Sequence, residues 1–124
     1  MENPRSAPLV AQNSSDSVVA ATRIALSETS GEHDRIEALL SLRGVGWPTA
    51  SVLLHLAYPE RYPILDKRAL HALGVDDAPS RYSFKYWKPY VTAYAQLVEQ
   101  AGVDGRTLDR ALWQWSREQG VALY

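Results

Sequence analysis

Two places in the sequence carry residues whose types and spacing suit chemistry. The first is Leu39-Leu40-Ser41-Leu42-Arg43-Gly44-Val45-Gly46-Trp47-Pro48-Thr49-Ala50. Two glycines two apart open backbone conformations closed to other residues and let a partner approach closely. The helix expected to follow presents N–H groups and a partial positive charge at its N-terminus, and a phosphate can sit there without a basic side chain. Arg43 beside the turn offers one charge-assisted contact, and Val45 can turn inward and pin it. Pro48 has no amide, so a phosphate would depend on the amides of Gly44, Gly46, Trp47 or Thr49. The alternative is an ordinary tight turn between two helices. The second place is Asp66, at the head of a short helix, where a carboxylate is a natural N-cap. His33, His55 and His71 have no metal-ligand spacing, and no metal or cofactor is expected. Of the four tryptophans and seven tyrosines, most fall on helix stripes. Trp87 and Trp115 are assigned to packing, whereas Trp47 stands at the mouth of the turn. Tyr82, Lys85, Tyr86 and Lys88 make either a mixed aromatic and basic surface or a solvated helix face.

The elements that must position these residues are all helical. Residues 1–15 are expected as a flexible polar tail, because Pro4, Pro8, Asn13, Ser14 and Ser15 break periodicity and apolar surface is scarce. Helical patterning begins near Asp16, with Val18, Val19, Ala21, Ala25 and Leu26 recurring at helical spacing, and stops at Thr29-Ser30-Gly31. A second helix from about Glu32 to Leu42 turns Ile36, Leu39 and Leu40 inward and keeps Arg35 and its charged neighbours outside. A third starts at Trp47-Pro48, where proline suits the first turn. It is apolar nearly all round, as a central buried helix would be. Each proline of the Tyr58–Pro63 loop disfavours helix before it. The short helix headed by Asp66 ends at Gly74, and a turn-rich linker covers 75–83. A long helix spans about Phe84 to Ala101, with Pro89 in its first turns. Asp104 caps the last helix, whose inward stripe is Leu108, Ala111, Leu112 and Trp115. About six helices and no period-two strand pattern give an all-α fold, with a single helical domain over 16–124.

Bulk properties narrow the function. The 124 residues suffice for one core, and the net charge is −1, which counts against a strong nonspecific DNA binder. Any nucleic-acid contact must come from backbone amides and a few placed cations. The absence of cysteine excludes disulfides, zinc thiolate sites and a cysteine-ligated iron–sulfur cluster. It suits a reducing, cytoplasmic setting. No apolar run reaches the ~18–20 residues of a spanning helix, and no secretory signal is seen. A membrane partner is therefore not expected. The oligomeric state is open.

Over residues 39–73 the sequence resembles the helix-hairpin-helix superfamily of base-excision DNA glycosylases, which includes endonuclease III and the adenine and 8-oxoguanine glycosylases. The carriers are the leucines before Gly44-Val45-Gly46, the Trp47-Pro48-Thr49-Ala50 start of an apolar helix, and the approach Tyr62-Pro63-Ile64-Leu65-Asp66, which ends 20 residues after Gly46. The resemblance implies a compact all-α domain like the glycosylase core. It implies a hairpin that holds the DNA backbone through Arg43, Gly44, Val45, Gly46, Trp47 and Thr49. It also implies a catalytic Asp66 that stabilises the cation formed as a glycosidic bond breaks, or activates water, on a base flipped from the duplex. Bifunctional members carry a lysine where this chain has Pro48. An enzyme here would accordingly be a monofunctional N-glycosylase without lyase activity, acting on damaged or modified bases. Lys67 stands elsewhere in the motif and does not inherit that role. The sequence is also short of the N-terminal region that completes the family's second lobe. Two other functions therefore stand beside the first: a non-catalytic DNA-binding module on the same scaffold, and a protein-interaction domain in which the hairpin is only a turn.

Overall fold

The structure is a computed structural model that describes residues 6–74 and 81–120. Among these residues it is all-α: α1 Ser6–Val10, α2 Ser15–Ala25, α3 Glu32–Leu40, α4 Trp47–Ala57, α5 Lys67–Ala72, α6 Phe84–Ala101 and α7 Gly105–Glu118, with no strand. The expected linker over 75–83 falls mostly outside the described residues. The chain divides into two compact units, 1–50 and 51–124, described in turn where the sequence suggested one domain over 16–124.

In the first unit α2 packs on α3. Ser14 starts α2 by accepting from the Ser17 amide, satisfying one of the orphan donors of a helix start. Of the stripe expected on α2, only Ala21 and Ala25 are buried, and Val18, Val19 and Leu26 are exposed. The difference has a geometric cause: the two alanines lie one turn apart on a single face, and that face is the buried one. The segment expected as a tail holds α1. Its following turn is tied to the hairpin, where Asn13 donates through Nδ2 to the Arg43 carbonyl (3.0 Å) and accepts at Oδ1 from the Arg43 amide (2.9 Å).

Arg35, expected outside, is buried with 0% exposure. Its guanidinium closes the α2–α3 turn, donating from Nη1 to the Ala25 carbonyl (2.9 Å) and from Nε to the Ser30 carbonyl (3.2 Å). The first carbonyl lies at the end of α2, where intrahelical donors run out, and the second in the turn just before α3. Arg35→Ala is therefore expected to lower the unfolding free energy by about 3 kcal/mol, through two carbonyls left unpaired and a void. Urea denaturation measures this, and a change below about 1 kcal/mol would remove the guanidinium from the list of what holds this unit together.

In the second unit α5 packs on α7. The core combines Leu54 of α4, Ala69 and Leu70 of α5, Trp87, Tyr90, Val91, Tyr94 and Val98 of α6, and Leu108 of α7 with Tyr62 and Leu65 of the loop. Tyr62 stacks on Trp87 at 5.8 Å and 9°, and Trp87 is fully buried as expected. Helix α6 ends at Gly102 with φ 66°, a left-handed cap that glycine adopts without a Cβ penalty. Asp104 caps α7 by accepting from the Thr107 amide. Two expectations fail here. Leu53 and Leu56 of α4 are 43% and 67% exposed, so α4 buries one face, through Ser51, Leu54 and His55, and is not buried all round. On α7, Ala111 and Trp115 are exposed, and Leu108, Asp109 and Ser116 are buried with Leu112 half-buried. The inward face of α7 contains polar groups because they bond to α5 and to the loop before it, a pairing that periodicity does not display.

Candidate functional site

The hairpin is built by Gly44, whose φ of 80° belongs to the left-handed region that other residues rarely adopt. The Val45 amide donates to the Leu42 carbonyl (3.3 Å), and the Ala50 amide to the Gly46 carbonyl (2.9 Å), which begins the α4 ladder. The amides of the first turn of α4 have no carbonyl of that helix to bond. Around them Gly46, Pro48 and Thr49 are exposed, and Val45 and Trp47 are half-buried. Gly46 itself has an ordinary φ, and a Cβ there would meet only Pro48 Cδ at 3.9 Å. The fold thus needs a glycine at 44 and none at 46. Arg43 is exposed, and its Nη1 donates to the neutral Gln12 Oε1 (2.7 Å). Among the described residues no carboxylate pairs with it.

In the second unit, Asp66 is half-buried and caps α5: its Oδ1 accepts from the amides of Arg68 (2.7 Å) and Ala69 (3.1 Å). The loop that delivers it is pinned from three helices. Tyr94 Oη lies 2.7 Å from both the Pro59 and the Gly105 carbonyls, and its single proton serves one of them at a time. His55 Nδ1 stands 2.8 Å from the Tyr62 carbonyl. A carbonyl only accepts, so Nδ1 carries the proton. Tyr90 Oη donates to the Ile64 carbonyl (2.8 Å), and the Leu65 amide donates to Ser51 Oγ (2.8 Å). The Ile64 amide bonds the Asp109 carboxylate. Such a set of side-chain contacts fixes the carboxylate of Asp66 to a degree that a surface loop would not.

Burial shapes the acidities around it. Tyr90 lies well above the ordinary tyrosine range, through burial first and then the charges of Asp66 and Asp109. The Asp109 carboxyl is raised, again by burial first, with the His55 ring opposing and Asp66 adding to the effect. His55 Nε2 and Asp109 Oδ1 are buried with no hydrogen-bond partner among the described residues. His71 faces α7. Its Nδ1 meets Ser116 Oγ at 2.8 Å, and its ring packs 5.6 Å from Trp115. The described residues contain no group of three metal-ligating side chains.

Sequence reasoning identified Asp66 and the hairpin but missed Ser51, Tyr90, Tyr94 and Asp109 as residues that position the loop. One signal was present: Ser51 and His55 are polar residues one turn apart on an otherwise apolar helix, the spacing of a shared face. Tyr82 and Tyr86 do meet, with ring centroids 5.8 Å apart, and Lys85 and Lys88 are exposed. No helix among the described residues is long and apolar enough to cross a membrane. No family model, curated protein or solved structure matches this chain.

Proposed function

We propose that this chain is a DNA-binding protein of the helix-hairpin-helix glycosylase type, which holds duplex backbone phosphates at Arg43–Thr49. The observation that carries the proposal is Gly46. The fold makes no steric demand for glycine there, yet a side chain at this position would stand beside the start of α4, where Pro48 and Thr49 are exposed. A glycine without a conformational duty at a helix N-terminus suits close approach by an anion. The uncompensated charge of Arg43 adds a second attraction. Asp66, capped onto α5 at the end of a pinned loop, supports a monofunctional N-glycosylase as the finer form of this function. The pinned loop supplies the positioning on which such a reaction depends.

Gly46→Val tests the proposal. The added Cβ makes only an ordinary contact with Pro48 Cδ at 3.9 Å, so unfolding stability should stay within about 1 kcal/mol of wild type. Affinity for a duplex carrying an abasic-site analogue should fall roughly tenfold, the equivalent of one charge-assisted hydrogen bond. Electrophoretic binding with and without the abasic site measures it. Unchanged affinity in the folded variant would leave the hairpin as a turn only.

A further inference from the structure

Outside the hairpin and Asp66, the solvent face of α7 carries a second arrangement of groups. Arg106, Arg110, Trp113 and Arg117 follow at steps of four, three and four residues, the spacing of one helix face, and all four are exposed. The arginines at 106, 110 and 117 have no carboxylate within ion-pair distance among the described residues. The Arg117 guanidinium lies 5.5 Å from the Trp113 ring centroid and that of Arg68, from α5, lies 5.7 Å from it. These cation–π contacts gather positive charge around an accessible ring. Beside the ring runs an open groove of about 470 Å³, lined by Ile64, Arg106, Asp109, Arg110, Trp113 and Gln114. This lies within the roughly 300–1,000 Å³ range of small-ligand sites. Asp109, 8% exposed, lies among the lining residues, and its Oδ1 is buried with no hydrogen-bond partner among the described residues. The other acidic groups on this helix are Asp104, held in its capping bond, and Glu118, which accepts from Gln114 Nε2 (3.0 Å).

We propose that this groove binds an unpaired DNA strand, with phosphates on Arg106 and Arg110 and a base stacked at Trp113. The inference rests on the chain being a DNA-binding protein and extends it from duplex backbone to single strand. A charged face without function is normally of mixed sign and ion-paired. This one is arginine-rich, unpaired and set around an aromatic ring, which is the combination that binds single strands: cations for the backbone and a π face for the bases. A net charge of −1 does not oppose it, because the cations are concentrated on one helix face.

The test uses the full chain, a labelled twelve-nucleotide oligodeoxythymidylate as the single strand, and a duplex of the same length. Arg106→Ala with Arg110→Ala should lower oligonucleotide affinity at least about tenfold and reduce the salt slope by about 1.4, two single-strand phosphate contacts at ~0.7 each. Arg106→Lys with Arg110→Lys keeps the charges and should retain most of the binding. Trp113→Phe should lose much of the fluorescence quenching that the oligonucleotide causes in wild type. Duplex binding by the hairpin should persist in all three variants, whereas Gly46→Val should do the reverse. The two sites therefore fail separately. Oligonucleotide binding unchanged in the double alanine variant, or absent from wild type, would overturn the proposal. So would competition by inorganic tripolyphosphate combined with quenching that does not depend on Trp113, because that pattern describes an anion patch and no strand site.

Discussion

Replacing Gly105 by alanine is expected to destabilise the 51–124 unit by at least about 3 kcal/mol, at the upper end of what overpacking does. A Cβ at 105 would fall 1.7 Å from the Pro59 carbonyl oxygen, 2.3 Å from its carbon and 2.7 Å from Tyr94 Oη. The nearest obstacle is backbone and has no rotamer to move into. The loop that carries Pro59 is itself pinned at Tyr62, Ile64 and Leu65 by His55, Tyr90 and Ser51, so relief at 59 strains the path to Asp66. Chemical denaturation reads the loss in stability. Gly46→Val serves as the contrasting glycine substitution, since its Cβ makes only an ordinary contact, with Pro48 Cδ at 3.9 Å. A Gly105→Ala protein within about 1 kcal/mol of wild type would mean that the close approach of α7 to the loop is soft, and that the loop does not hold Asp66 as tightly as its hydrogen bonds imply.

The second large effect concerns chemistry. On a damaged duplex from which wild type releases base, Asp66→Asn is expected to lower that release at least about a hundredfold, because a positioned carboxylate that meets developing positive charge or activates water contributes on that scale. Stability should barely change. Asparagine caps a helix about as well as aspartate, so the bonds to the Arg68 and Ala69 amides survive the substitution. DNA affinity should hold as well, since the proposed phosphate contacts lie in the hairpin and not at Asp66. The product should be an intact strand with an abasic site, and borohydride should trap no covalent complex, because Pro48, which has no amine, stands where the bifunctional glycosylases that the sequence resembles carry a lysine. Wild type that binds a panel of damaged duplexes and releases no base from any of them would sink the catalytic form of the function and leave a binding module. Trapping through Lys67 would overturn the monofunctional assignment.

Much of the local structure was legible because its causes are local. Asp66 and Asp104 are capping residues at the positions where caps are observed, whereas Ser14, read as part of the tail, caps α2. Gly44, Gly74 and Gly102 take positive φ where the pattern required turns or helix ends. The all-α class follows from apolar periodicity, and the boundaries of α3, α4 and α6 lie within a residue or two of those expected. What the sequence did not disclose involves a second element in each case. Arg35 reads as a surface residue by type and is buried where its guanidinium meets the carbonyls of Ala25, at the end of α2, and Ser30, in the turn before α3. Asn13 reads as part of a tail and is a clamp on Arg43.

The sequence by itself determined where helices start and stop and which residues could face a phosphate or carry a carboxylate, since capping, glycine conformation and periodicity act within a few residues. Only the tertiary structure decided which apolar positions are buried, how the loop to Asp66 is held, and that the helix face of Arg106, Arg110, Trp113 and Arg117 lies beside Arg68 and a groove. Those outcomes depend on hydrogen bonds and packing between residues as far apart as Pro59 and Tyr94, or Arg68 and Trp113. Periodicity along one helix cannot encode the identity of its neighbour.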